Sequence, residues 1–212
     1  MRGYGLWIAL PLLLVWGVAL FLYPTLPEPL PVHWNLEGEP DRFGSRLEAL
    51  FLLPLIMTFL LPLHALLPRL DPKRPQGLEG LMVGLAWFFL ALHLALVGVY
   101  AGWWAEPPLF RVAGLFFLFL AFYLPRIPPN YFAGVRTPWT LEDPEVWRKV
   151  HRAAAWGFGA LGGAMLFLPS RGLGVLAFLG LLLGVSLFLI VYSYGLWKRK
   201  AGQDSGGEGF LE

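Results

Sequence analysis

The sequence predicts an all-α fold, a polytopic membrane helical bundle of about six transmembrane helices. Three observations predict it. The 212-residue chain is 57% hydrophobic and only 14% charged, with a mean hydropathy of +0.61, whereas a soluble globule carries about 25% charged residues. Its apolar residues gather into stretches close to the ~20 residues that a spanning helix needs. Its basic residues fall mainly on alternate connections. A chain of this length holds one such bundle and no second folded domain, so residues 1–200 are read as a single domain.

The expected spans are 4–23, 47–67, 80–100, 109–125, 153–169 and 173–197. The first is read as retained rather than as a cleaved signal: the apolar stretch from Leu6 to Tyr23 is too long, and no A-x-A pattern follows before Pro24. Before the second span, Ser45-x-x-Glu48 has the pattern of a capping box. The third carries His93 deep within it, and the second carries His64 near its end. The fourth and fifth are short. Asp143-Pro144 supplies an N-cap and a first-turn proline, so the fifth helix is expected to begin there and run into the membrane. Beyond Lys200 the Gly-rich, acidic residues 201–212 are expected to form a disordered tail.

With six spans, twelve Lys and Arg lie on one side: Arg2; Arg69, Lys73 and Arg74; Arg126, Arg136, Arg148, Lys149 and Arg152; and Lys198, Arg199 and Lys200. Four lie on the other: Arg42, Arg46, Arg111 and Arg171. The positive-inside rule then puts both termini and the second and fourth loops in the cytoplasm, with the first, third and fifth loops facing out.

Composition excludes several classes of chemistry. There is no cysteine, hence no disulfide, zinc–thiolate site or thiol nucleophile. Asn and Gln are scarce and Pro abundant, which points to a thermophilic source, although a GC-rich genome biases composition the same way. The basic residues trace a membrane boundary rather than a nucleic-acid surface. No cofactor motif is present.

Two loops concentrate the polar residues. The outward loop, Pro31 to Ser45, holds His33, Trp34, Asn35, Gly38, Asp41 and Gly44. Its glycines permit positive φ, Asn35 and Asp41 can close Asx turns, and Trp34 suits an interface. It reads either as an ordered turn at the membrane surface or as a ligand-binding surface on which His33, Asn35 and Asp41 converge. One His with neighbouring carboxylates is weak ground for a metal, so the metal question stays open.

The second loop is expected on the cytoplasmic side. It holds Asn130, Gly134, Arg136, Thr137, Pro138, Trp139, Trp147 and His151. Trp147 and His151, four apart on a helix, share a face. Arg136, between Gly134 and Pro138, offers a planar donor fork to a carboxylate or phosphate, or ties the loop to a neighbouring acid or helix end. His93 is the main intramembrane polar candidate. The glycine pairs Gly80/Gly84, Gly98/Gly102, Gly159/Gly163 and Gly180/Gly184 have small-xxx-small spacing, which suits close helix packing and leaves a homodimer open.

Pro31-Val-His-Trp-Asn35 with Gly38-Glu-Pro-Asp41 and Gly44-Ser45 resembles the N-terminal signature of the SdpI family, a domain of unknown function. Asn130-x-x-x-Gly134-Val-Arg-Thr-Pro-Trp-Thr140, followed by Glu145-Val-Trp-Arg-Lys-x-His151, resembles that family's C-terminal signature. The resemblance implies a membrane immunity protein that binds or senses a secreted peptide toxin and signals by holding a winged-helix repressor at the membrane. It implies no enzyme. A membrane-embedded enzyme acting on lipid or peptide is the alternative, but no paired carboxylates lie in a span and no nucleophile–base spacing appears. A small transporter is the other alternative, and it would need a polar midplane site where only His93 is found.

Overall fold

Helices follow the apolar stretches along nearly the whole chain. The computed structural model describes residues 3–207. Helix α1 (Tyr4–Leu22) leads into a hairpin of β1 (Leu30–Trp34) and β2 (Pro40–Gly44). Then come α2 (Arg46–Leu60), α3 (Leu63–Leu70), α4 (Glu79–Tyr100) and α5 (Leu109–Tyr123), the last prolonged by a 3₁₀ turn at Leu124–Arg126. The short α6 (Pro138–Glu142), then α7 (Pro144–Phe167) and α8 (Leu173–Gly207) complete the bundle.

Among the described residues the fold is all-α apart from that hairpin, where the sequence predicts a loop. Four stretches among the described residues are long and apolar enough to cross a membrane: Tyr4–Leu22, Glu79–Tyr100, Leu109–Arg126 and Leu173–Gln203. The chain is therefore a multi-pass membrane protein. The stretch 47–67 folds as two helices, α2 and α3, broken at Leu61 and Pro62, because Pro62 has no N–H to offer the Thr58 carbonyl. The stretch 153–169 lies almost wholly within α7, whose first turns carry Arg148, Lys149 and Arg152. Helix α8 runs past 197 to Gly207. Residues 208–212 of the expected tail, and the side chain of His64, lie outside the described residues.

Helix α4 organises the packing. Towards its C-terminal end Val97 and Tyr100 pack with Ala19, Leu30 and Leu50. Further down, Ala86 and Leu90 meet Ile8, Val15 and Met57. At its N-terminal end Leu78 joins a third cluster with Leu124, Ile127, Trp147, Val150 and Leu189. With 22 residues, α4 is about 33 Å long, the thickness of a bilayer core. The first and third clusters therefore lie at opposite ends of the bundle.

Prolines inside helices free carbonyls that lipid cannot satisfy. Pro11 supplies no N–H to the Trp7 carbonyl, and the Trp87 indole donates to that oxygen instead, at 3.1 Å. In α2 Pro54 supplies no N–H to the Leu50 carbonyl, and one turn on the Thr58 hydroxyl donates to the Pro54 carbonyl at 2.8 Å and accepts from the Trp16 indole at 3.0 Å.

The closest helix approach is between α5 and α7. A Cβ on Gly162 would stand 2.7 Å from the Gly114 carbonyl oxygen, and one on Gly114 would stand 3.0 Å from that of Gly162. Of the paired glycines, Gly80, Gly84 and Gly98 lie under the rings of Tyr123, Phe119 and Trp104, whereas Gly163, Gly180 and Gly184 meet nothing within 4 Å. The tightest crossing thus uses glycines from two different helices, which a spacing rule within one helix does not reveal.

Gly162→Leu is expected to force α5 and α7 apart and lower the midpoint of thermal unfolding in detergent, at an overpacking cost of about 1–3 kcal/mol. Gly163→Leu, which enters open space, is expected to leave the midpoint unchanged.

Candidate functional site

The two polar loops fold as separate units at the two ends of α4. At the C-terminal end, β1 and β2 pair antiparallel, with His33 opposite Arg42 and register irregularities on either side of His33. Asn35 builds the turn: its side-chain oxygen accepts from the backbone N–H of Glu37 at 3.0 Å and of Glu39 at 2.9 Å. Gly38 takes φ +80°, which suits glycine at the tip. Gly44 has no positive φ. It is small for another reason, since a Cβ there would collide with the Glu48 carboxylate.

The imidazole Nδ1 of His33 meets Asp41 Oδ1 at 2.5 Å, and both side chains are exposed. His33 and Asp41 therefore do converge, while the Asn35 oxygen is spent on the turn. Among the described residues no three His, Asp or Glu are grouped to hold a metal ion. Trp34 is half-buried, beside Asn35 and Gly38 in a cleft of about 190 Å³ shared with Glu106, Phe110 and Ser170.

Charge pairs fasten the hairpin to the bundle. Arg42 pairs with Glu48 at 2.6 Å and Arg46 with Glu28 at 3.1 Å. Glu28 also accepts the Arg46 backbone N–H, which holds its carboxyl below the usual range. Ser45 caps α2 by accepting from the Glu48 N–H at 3.2 Å. The other half of the expected capping box is absent, since Glu48 turns to Arg42 instead. The later loops close over the hairpin tip: Glu106 pairs with Arg171 at 3.1 Å, and the Gly172 N–H donates to the Leu36 carbonyl at 2.8 Å.

At the N-terminal end of α4 the second loop is a knot of buried hydrogen bonds. Asn130 is fully buried. Its oxygen accepts from the N–H groups of Phe132 and Ala133 at 2.8 and 2.7 Å, and its amide donates to the carbonyls of Pro128 and Ala133 at 2.8 and 3.0 Å. Gly134 takes φ +106°, and a Cβ there would run into the His151 ring. His151, 1% exposed, stacks on Trp147 with ring centroids 4.0 Å apart. Its Nδ1 lies 2.9 Å from the Trp147 carbonyl, and its Nε2 accepts the Val135 N–H at 3.1 Å. This pattern selects the neutral, Nδ1-protonated ring. Burial pushes its pKa down to about 4.

Thr137 caps α6 in a capping box with Thr140, ahead of Pro138 at the first helical position, and donates to Ser193 of α8 at 3.1 Å. Trp139 packs on Tyr194 with centroids 5.0 Å apart. The Trp147 indole donates to the Ile127 carbonyl at 2.8 Å. Asp143 caps α7, accepting from the N–H groups of Glu145 and Val146. Arg136 donates to the Tyr131 carbonyl at 2.5 Å rather than reaching an acid, and its side chain remains exposed.

Sequence reasoning passed over four members of these units. Asp71, 1% exposed, accepts the N–H groups of Lys73 and Tyr131 at 2.8 and 2.7 Å and so ties the α3–α4 connection to the knot. Its only sequence signal was the Asx-turn pattern of Asp71-Pro-Lys73. Glu106, Ser193 and Lys200 act through contacts distant in the chain and had no local signal. His93 is buried in α4, and among the described residues neither ring nitrogen has a hydrogen-bond partner. It does not bond a neighbouring helix.

Residues 126–193 match the SdpI/YfhL protein family, and residues 10–58 match a domain of unknown function, DUF1648. Over 140 residues the chain is 25% identical to the immunity protein SdpI of Bacillus subtilis (strain 168), covering 65% of this chain and 67% of that one. Over 45 residues it is 49% identical to an uncharacterized protein of Archaeoglobus fulgidus, covering 21% of this chain and 24% of that protein. The chain thus spans about a quarter of the archaeal relative and two thirds of the Bacillus one. No solved structure matches.

Two outcomes follow from the knot. Because the folded pKa of His151 lies below its ordinary value of 6.5, the stability it contributes is complete above about pH 6.5 and is lost as pH falls toward 4. The protection factor of the Val135 amide, measured by mass spectrometry and corrected for the intrinsic exchange rate at each pH, should fall as pH drops across that window. His151→Gln should abolish this dependence. Asn130→Ala strands buried partners, so proteolytic nicking within 130–137 should rise by at least tenfold, at a cost of about 2 kcal/mol or more.

Proposed function

We propose that this chain, a member of the SdpI/YfhL family, is a membrane immunity protein. Its outward hairpin binds or senses a secreted peptide toxin, and its 130–151 knot docks a cytoplasmic repressor. In this reading the chain crosses the membrane six times, α2–α3 and α7 supplying the two crossings beyond the four long apolar helices, with both ends in the cytoplasm. Family membership points to a non-enzymatic role.

One observation supports the reading above others. The two motif-bearing surfaces are separate, well-bonded units at opposite ends of α4, with packed helices between them. A binding enzyme would bring its polar groups to one place. Here His33 pairs with Asp41 through Nδ1, leaving Nε2 and the carboxylate as the polar groups offered to a peptide. At the far end Arg136 and the partly exposed Tyr131 and Phe132 are held out on the rigid Asn130 turn, as a docking surface requires. Communication between the ends needs a two-state shift of the intervening helices.

The test is survival of a toxin-sensitive bacterial strain expressing the protein under challenge with the family's peptide toxin. Matched strains carry His33→Ala or Arg136→Ala at equal membrane levels. The expected result is protection by the native chain, lost in His33→Ala and kept in Arg136→Ala. Absence of protection by a folded native chain refutes toxin immunity.

A further inference from the structure

The ends of α7 and α8 at the basic side of the bundle enclose a cleft that neither family motif accounts for. Its volume is about 200 Å³, with Val146 and Leu196 as apolar flanks and Glu145, Lys149, Arg199, Lys200 and Gln203 as polar walls. At about 30 Å³ per water, this is room for about six waters or one phosphate-sized group. On α7, residues 145 and 149 share a face. On α8, residues 196, 199, 200 and 203 share one as well. The two faces oppose each other and bring three cations together.

The charges are only partly neutralised from within. Lys200 lies 2.6 Å from Asp143 and 3.6 Å from Glu145, and Lys149 lies 2.9 Å from the same Glu145. Glu145 therefore serves two lysines. Arg199 has no carboxylate partner among the described residues, so its planar fork is unspent. Gln203 adds an amide donor. Arg148, Arg152 and Lys198 are exposed nearby in the sequence but do not line the cleft. The cleft thus collects a surplus of positive charge and directional donors at the level where α7 enters the apolar bundle.

We infer that this cleft binds a phosphate-bearing anion, with Arg199 as its principal donor and Lys149 and Lys200 as flanking cations. The anion is a phosphodiester headgroup of an anionic phospholipid or free inorganic phosphate, since both present the same oxygens. Basic pockets between membrane helices take such headgroups. The bound anion would share Lys149 and Lys200 with Glu145 and hold the end of α8 against the start of α7, beside the knot. This site does not depend on the immunity reading.

The experiment uses the full-length protein in nanodiscs. In one arm, discs of phosphatidylcholine doped with phosphatidylglycerol are analysed by native mass spectrometry for retained lipid. In the other, inorganic phosphate is titrated into discs of phosphatidylcholine alone and followed by calorimetry. Arg199→Gln is compared with Lys198→Gln, which removes an equal charge outside the cleft. Saturable binding that weakens about tenfold in Arg199→Gln and hardly in Lys198→Gln is expected. Its appearance in the first arm identifies a lipid headgroup, and in the second, free phosphate. Equal losses in the two variants would reduce the effect to general surface charge, and absence of saturable binding in both arms would also overturn the assignment. Neither result would bear on toxin protection, which the survival assay reads independently.

Discussion

Within a bilayer the backbone has no solvent to bond, so every carbonyl that a helix cannot satisfy must find a partner in the protein. Much of this structure follows from that constraint. The carbonyl freed by Pro11 draws the Trp87 indole across from α4 to α1. The Trp104 indole reaches back to the Ala95 carbonyl, and its ring covers Gly98. Where neither proline nor large side chain intervenes, helices close to backbone contact, as at Gly114 and Gly162. Aromatic residues in this bundle therefore bond as well as fill space. Polar side chains unsuited to such work are concentrated at the two ends.

Those ends are built by opposite means. The hairpin is fastened by exposed ion pairs, Arg42–Glu48, Arg46–Glu28 and Glu106–Arg171. Pairs of this kind are individually worth about 0–1 kcal/mol and weaken with salt. The 130–151 knot is fastened by buried, mostly neutral hydrogen bonds through Asn130, Thr140, His151 and Asp71. Leaving any one partner unpaired there costs about 1–3 kcal/mol. An adaptable surface suits a ligand that must be captured, and a rigid one suits a partner that must be recognised. This division of labour gives the immunity reading physical content beyond the match to a family.

The helical architecture was legible because long apolar runs have few alternatives in lipid, and Asp143-Pro144 marked the start of α7 unambiguously. The hairpin was not legible. Its strands are short, β1 contains Pro31, and β2 is almost wholly exposed, so neither shows the alternation that betrays a half-buried strand. Pro62 could be read as tolerated within a span, yet the helix breaks at Leu61 and Pro62. The motif residues of the knot were visible as an aromatic, polar loop. The pairing of Gly134 with His151, and of Asp71 with Tyr131, depends on tertiary contacts with no local signature. His93 stood out as a polar residue in a span, and it is buried with no hydrogen-bond partner among the described residues.

The central claim is that the hairpin and the knot face opposite sides of the membrane. Since the chain has no cysteine, single cysteines at the exposed positions Glu37 and Glu142 can be introduced and labelled with a membrane-impermeant maleimide. The account predicts that Glu37→Cys labels in intact cells and that Glu142→Cys labels only after permeabilisation. Labelling of both from the same side would contradict it.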